Sequence, residues 1–257
     1  MNAVVMAAGI PREGEPLYPV TRGRSKALLE VEGKAMLQWV LEALAASRSI
    51  GRVLVVGPET DLPFPRELDY LEGRGGYLEN LLAGARRLLE LAPGAQQLLV
   101  VSADIPALTS EHVDWVAAQA LAGDQDFCYC LINRRLMESA FPGCRRTYFR
   151  FRDREVCGGD LAVVRASLFS GDTEVWRKLI EARKSRWKTA AVIGPLVLLR
   201  FLLGRLSLEQ AVRLASSRLG IRGRILDCPF PEAGMDVDKP FQRDLVEQAL
   251  RRRGERP

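Results

Sequence analysis

"AVVMAAGIPREGEPLYPVTRGRSKALLEVEGKAMLQWVLEAL", residues 3–44, opens on an apolar run and closes on a helix pattern, with a long polar loop between them. Residues 3–7 form an unbroken apolar stretch, as expected of a strand buried on both faces. Met36, Leu37, Val40, Leu41 and Leu44 recur at helical spacing. The intervening loop is rich in glycine, proline and arginine. Loops of this length are uncommon in compact domains, and ordered ones usually bind something. The first unit therefore reads strand, binding loop, helix.

The same rhythm continues outward. Residues 53–56 are a second β-rich run ended by Gly57-Pro58, and Leu78, Leu81, Leu82, Ala85, Leu88 and Leu89 outline an amphipathic helix. Residues 98–101 give a third strand. Short apolar strands alternating with helices predict βαβ units, hence a parallel sheet with right-handed crossovers, covered on both faces. After residue 124 the rhythm changes: 127–132, 147–151 and 161–164 read as strands without long helices between them, so the second half should be mixed. Residues 172–218 read as three helices, at 173–184, 188–203 and 207–218, the last capped by Ser207 with Gln210 three residues on. A strand at 222–227 and a helix at 241–252 close the chain. The expected fold is α/β: a Rossmann-like mixed, mostly parallel sheet flanked by helices, one domain over 1–257 with a helical insertion at about 172–218.

Composition narrows the function. With 257 residues, 47% of them apolar, the chain can bury a sizeable core. Its 37 basic and 32 acidic residues leave +5. Much of that charge lies at 183–188 and in Arg251-Arg252-Arg253, which suggests affinity for anions and not a nucleic-acid surface. Only six of the basic residues are lysines, and two of them, Lys26 and Lys34, lie in the opening stretch. No run reaches the roughly 18 to 20 apolar residues of a membrane span, and the start lacks a signal-peptide pattern, so a cytoplasmic protein is expected. The five cysteines are odd in number and lack paired C-x-x-C spacing. They are read as reduced, packed thiols, with neither a disulfide framework nor a zinc site.

In open α/β sheets the ligand crevice lies beyond the carboxyl ends of the strands, so the loops after the first and third strands should be neighbours. In the first, the small residues Ala7, Ala8 and Gly9 let backbone N–H groups approach an anion, and Lys26 can set a point charge on phosphates. In the second, Asp104 ends a buried strand and Pro106 stiffens the loop, a placement suited to Mg²⁺; alternatively, Asp104 only caps the helix beginning near Thr109. Near the end, Met235-Asp236-Val237-Asp238-Lys239-Pro240 sets two acids around one apolar residue. The segment is read with these acids on opposite faces, so that at most one meets a metal directly, or else as a solvated turn. His112, the single histidine, falls in a first helical turn and is expected to be a surface or packing residue. Residues 145–150 with 157–160 are either an acceptor-binding segment, where Gly159 allows close approach, or a plain hairpin.

Together the A-A-G turn, the Ser-Lys-Ala-Leu-Leu and Val-Glu-Gly-Lys that follow, the Asp-Ile-Pro after the third strand and the late Asp-x-Pro resemble the nucleotidyltransferases of the nucleotide-diphospho-sugar transferase superfamily, especially its MobA-like group. The resemblance covers about 3–165 and 222–250. It implies that Ala7, Ala8 and Gly9 line the nucleotide, that Lys26 contacts its phosphates, and that Asp104 holds the catalytic Mg²⁺. Asp238 resembles a second metal ligand, leaving Asp236 to point away. Gly76 and Asn80 fall where relatives meet base or ribose. Here the G-x-G-x-R of such enzymes is replaced by Gly9-Ile10-Pro11 and a longer insertion, with Arg22 or Arg24 standing for the arginine. The implied reaction is attack of an acceptor phosphate on the α-phosphorus of an NTP, with Lys26, Arg24 and metal-bound Asp104 neutralising charge and no histidine base. The implied acceptor is a phosphorylated sugar, polyol or cofactor precursor.

Two rival readings stand beside this one. Asp236-Val237-Asp238 mimics the D-x-D of a GT-A-type glycosyltransferase, although at the chain end and not at mid-domain. The apolar stretch 190–203, preceded by Arg183, Lys184, Arg186 and Lys188, suits a membrane-surface or partner-binding protein, or a buried or homodimer-forming helix pair.

Overall fold

In the computed structural model, which describes residues 1–61, 64–171, 176 and 194–254, the opening apolar run is strand β1 (Asn2–Met6). The loop after it holds a short helix α1 (Tyr18–Thr21) and a 3-10 turn at Lys26–Leu28, then a small hairpin, β2 (Glu30–Val31) and β3 (Lys34–Ala35), leads into α2 (Met36–Ala46). Strands β4 (Val53–Val56) and β5 (Leu68–Leu71), helix α3 (Tyr77–Leu91), strand β6 (Gln97–Ser102) and helix α4 (Ser110–Leu121) complete the first half. The second half runs β7 (Phe127–Asn133), α5 (Arg134–Ala140), β8 (Phe149–Arg150), β9 (Glu155–Arg165) and α6 (Ser167–Ser170). After the stretch outside the described residues come α7 (Pro195–Leu202), α8 (Leu208–Leu219), β10 (Gly223–Asp227) and α9 (Pro240–Gly254).

Among the described residues the main sheet has eight strands in the order β10-β7-β9-β6-β1-β4-β5, with β8 on β9. Strands β6, β1, β4 and β5 are mutually parallel, as are β7 and β10, while β9 runs antiparallel between β6 and β7. This is the mixed, mostly parallel sheet expected, and it leaves the carboxyl ends of β1, β6 and β7 along one edge.

Side chains alternate across a strand, so a fully apolar run feeds two cores at once. Ala3 and Val5 of β1 join Val53, Val55, Leu99 and Val101 against α2, α4 and α9. Val4 and Met6 join Leu54, Val56, Leu98 and Val100 against α3, Phe169 and Trp176. Burying each such Val or Leu contributes roughly 1.5 to 3 kcal/mol, which is why β1, lying between two strands and between two layers, holds the middle of the fold. In α3 a glycine, Gly84, faces the sheet because a Cβ there would collide with Val56.

Some elements differ from expectation. The strand read at 147–151 shrinks to the two residues of β8, and β9 extends back to Glu155. β5 carries no periodic signal in the sequence because its Leu68-Asp69-Tyr70-Leu71 is a half-buried edge strand with no continuous apolar run. Helix α7 starts at Pro195, where proline suits a first helical position after Gly194 at φ 91°. Apart from Trp176, the helix read at 173–184 and the start of that read at 188–203 lie outside the described residues. Helix α8 carries the expected capping box, Ser207 accepting from Gln210 N–H and Gln210 from Ser207 N–H. Among the described residues no helix is long and apolar enough to cross a membrane.

Candidate active site

The A-A-G turn leaves β1 at the sheet edge. Ala7 N–H still donates to Val56 in the neighbouring strand, 2.8 Å. The chain then loops out and returns: Ser25 Oγ donates to Ala7 O at 2.6 Å, and Lys26 N–H to Gly9 O at 2.9 Å. Ser25 Oγ also accepts from Ala27 N–H at 3.2 Å and so caps the 3-10 turn that carries Lys26. Gly9 is small for a reason, since a Cβ there would lie 3.3 Å from Lys26 Cε. Among the described residues the N–H groups of Ala8 and Gly9 donate to no protein acceptor, so they are available to an anion.

Because β6 pairs with β1, Asp104 emerges beside this turn. Lys26 Nζ lies 2.5 Å from Asp104 Oδ2 and also pairs with Asp238. Burial works against the ammonium, yet the two carboxylates outweigh it and hold Lys26 above the usual lysine range. Asp238 arrives from the far end of the chain because Val237 N–H donates to Asp104 O at 3.0 Å, strapping the 235–238 segment to the Asp104 loop.

That strap corrects the reading of Asp236. Residues two apart on an extended chain share a face. Met235 and Val237 enter the core and both acids turn to the cleft. Carboxylate oxygens of Asp104, Asp236 and Asp238 lie within 4.8 Å of one another. Asp236 does not point away; it ion-pairs with Arg146, which also donates from Nη2 to Gly158 O at 3.1 Å and approaches Asp160 at 3.7 Å. Arg146 thus competes for Asp236, while Lys26 faces the other two acids.

The group suits a hard divalent cation. Asp104 Oδ1 is buried and, among the described residues, has no hydrogen-bond partner. Mg²⁺ takes one or two carboxylates and leaves its remaining positions to water and substrate phosphates, which the all-oxygen donor set of Asp104 and Asp238 matches.

Residues 3–169 match the MobA-like NTP transferase domain. The chain belongs to that family. It is a nucleotidyltransferase, which decides against the glycosyltransferase reading of Asp236-Val237-Asp238. A structure described as a hypothetical transferase from Thermus thermophilus is 36% identical over 94% of this chain and 98% of its own, with a TM-score of 0.78. Two more distant structures share the fold. CMP:2-keto-3-deoxy-manno-octonic acid synthetase complexed with CTP is 14% identical over 98% of this chain and 99% of that chain, TM-score 0.56. The 2-C-methyl-D-erythritol 4-phosphate cytidylyltransferase of Thermus thermophilus is 18% identical over 97% and 98%, TM-score 0.52. No curated protein matches the chain.

The remaining expected residues of this MobA-like chain divide. Arg24 is exposed on the loop just before Lys26, and Arg22 is the left-handed C-cap of α1 at φ 48°. Gly76 is the N-cap of α3, and the buried Asn80 spends its amide on the loop before it: Oδ1 accepts from Arg74 N–H and Nδ2 donates to Gly75 O, both at 3.0 Å. Gly73 of that loop packs directly on Ala8, leaving no room for a Cβ; in sequence its only signal is the glycine-rich "EGRGG". Gly159 is not at a ligand surface. It is buried, and a Cβ there would meet Cys130 Cβ and O at 3.0 Å, so the glycine serves strand packing between β9 and β7. His112 is a packing residue, stacked on Phe230 at 4.4 Å and closing the Thr109 capping box. All five cysteines are free and buried.

Proposed function

We propose that this nucleotidyltransferase moves an NMP from a Mg²⁺-bound NTP onto a phosphorylated sugar, polyol or cofactor precursor and releases pyrophosphate. The observation that carries this reading is the Lys26 ammonium set between Asp104 and Asp238 beside the free N–H groups of the A-A-G turn. Asp104 and Asp238 would hold Mg²⁺, which when bound supplies charge neutralisation on the phosphates. Ala8 and Gly9 line the nucleotide with Gly76, while the buried Ala7, bonded to Val56 and Ser25, anchors the turn and Asn80 holds the neighbouring loop in shape. Lys26 turns from the two acids to the triphosphate, and Arg24 adds charge from the same loop. An acceptor phosphate oxygen attacks the α-phosphorus; the new O–P bond forms as the bond to the β-phosphate bridge breaks and its electron pair leaves with pyrophosphate. The attacking phosphate is already ionised, so no side chain has to take a proton. Positioning and charge neutralisation are sufficient.

The chain is read as one catalytic domain over 1–257 in which 172–218 is an insertion that shapes acceptor choice. In support, β10 returns to the main sheet after it, and the described helices of that region pack on the segment before β9, with Phe151 edge-on to Phe201 at 5.4 Å. The test is pyrophosphate release over four NTPs and a panel of phosphorylated metabolites, with and without Mg²⁺. Release that needs both Mg²⁺ and a phosphorylated acceptor is expected; release with no phosphorylated acceptor in the panel would overturn the acceptor class.

A further inference from the structure

A groove of about 630 Å³ lies between the start of α5 and the 150–155 hairpin. Five arginines line it against three carboxylates, and with Asp227, which pairs with Arg154 from beside the groove, one positive charge is left over. The matched ones are visible: Arg134 pairs with Glu138 and Glu155, and Arg154 with Asp153 and Asp227. Arg150 reaches Glu155 only at 3.4 Å and is mostly exposed, while Arg135 and Arg152, among the described residues, form no ion pair. The groove is therefore built with cations in surplus. Unpaired arginines facing one space are suited to bind a phosphate or carboxylate, since each guanidinium can donate two parallel hydrogen bonds.

Its place relative to the acids matters. The groove opens at Asn133, the carboxyl end of β7, on the same sheet edge as Asp104 beyond β6. Only β9 separates these two strands. Asn133 is level with Val156 of β9 whereas Val101 is level with Leu161, so the two strand ends lie two strand spacings apart sideways and about four residues apart along the strands, a separation on the order of 15 Å, too far for one phosphate to touch both. The hairpin is also held firmly: Arg152 N–H donates to Leu206 O at 2.9 Å and Asp153 accepts from Leu208 N–H at 3.0 Å, so the region of α7 and α8 fixes the loop that presents Arg150 and Arg152.

We infer that this groove is the distal half of the acceptor site, and that the acceptor carries a second anionic group, phosphate or carboxylate, on the order of 15 Å from the attacking phosphate. This rests on the nucleotidyl-transfer reading above. Arg135 and Arg152 grip the distal group; they are positioning residues and do not touch the reacting atoms.

The test begins with inorganic phosphate binding by equilibrium dialysis, in full-length Lys26→Ala protein so that the nucleotide-phosphate site is weakened. Adding Arg135→Gln and Arg152→Gln together is expected to weaken phosphate binding at least tenfold, and rising salt should weaken it in the parent only. Both arginines are exposed, so thermal midpoint and circular dichroism should not move. Phosphate affinity unchanged within twofold would overturn the groove. Among acceptors active in pyrophosphate release, those with a second phosphate or second carboxylate should show a raised KM and an unchanged kcat in Arg135→Gln/Arg152→Gln, with the KM for NTP unchanged, and the two series identify which anion it is. A best acceptor with a single anionic group, used equally by both proteins, would overturn the acceptor inference. If wild-type protein bound no NTP in Mg²⁺, the reaction reading would fall and the dialysis would still decide the groove.

Discussion

Lys26 and Asp104 face each other at 2.5 Å across the sheet edge, joined there because β1 and β6 are adjacent parallel strands. The lysine neutralises two acids that the proposed reaction assigns to a cation, so under that proposal lysine and metal compete for one place. Replacing Lys26 with Ala should lower turnover on the order of 10²-fold and weaken NTP binding. The same change should tighten Mn²⁺ binding in the absence of nucleotide, since Asp104 and Asp238 lose their counter-charge. Electron paramagnetic resonance of free Mn²⁺ reads the second effect, and weaker Mn²⁺ binding in the variant would show that Lys26 does not compete.

Asp104→Ala and Asp238→Ala should each cost on the order of 10² to 10³ in rate, about 3 to 4 kcal/mol of transition-state stabilisation. Asp236→Ala acts differently, by leaving Arg146 with only the more distant Asp160, at 3.7 Å, in a mostly buried site. Losing one partner of such a pair is more costly than losing both. Asp236→Ala combined with Arg146→Met should therefore be no slower than Asp236→Ala alone. Initial rates against Mg²⁺ concentration check this, and simple additivity of the two changes would break the proposed coupling.

Gly73→Ala should push on Ala8, because no space exists for the added methyl. We expect KM for NTP to rise about tenfold with kcat little changed, as the turn proposed to meet the nucleotide is displaced. Steady-state kinetics separates the two parameters.

Gly159→Ala should do the reverse. Its Cβ would press on Cys130 at 3.0 Å, so overpacking should cost about 1 to 3 kcal/mol of stability, with KM for either substrate unchanged in the folded fraction. Urea unfolding gives the first number. A large shift in KM without loss of stability would restore Gly159 to the site.

His112 makes stability pH-dependent. Burial, then the nearby Arg253 charge, lowers its pKa from 6.5 to about 4. The unfolded chain therefore takes up a proton near pH 6.5 that the folded chain refuses until about 4, and stability, full above that window, falls as pH drops through it. Between about pH 7.5 and about pH 5 the loss should be about 2 kcal/mol. His112→Gln keeps an acceptor for the capping box and should lose that pH dependence. Urea midpoints at the two pH values test it, and since the chain has one histidine, no other imidazole can account for the change.

What the sequence determined by itself is what depends on local periodicity. The apolar runs at β1, β4 and β6 and the helical spacing of α2 and α3 are legible because burial on both faces demands unbroken apolar strands, and one-sided burial demands a 3.6-residue repeat. The order of those elements then forces the loops bearing Lys26 and Asp104 together. Tertiary structure alone decided the rest. Asp236 turned to the cleft because Val237 is tied to the Asp104 loop and its neighbours fill the core. Gly159 became a packing residue because β9 lies against Cys130. Asn80 was drawn back onto the loop just before its own helix, and Arg135 and Arg152 met in one groove because α5 and the 150–155 hairpin reach the same edge of the sheet. A residue's type names the chemistry available to it, and only its neighbours in space determine which partner uses it.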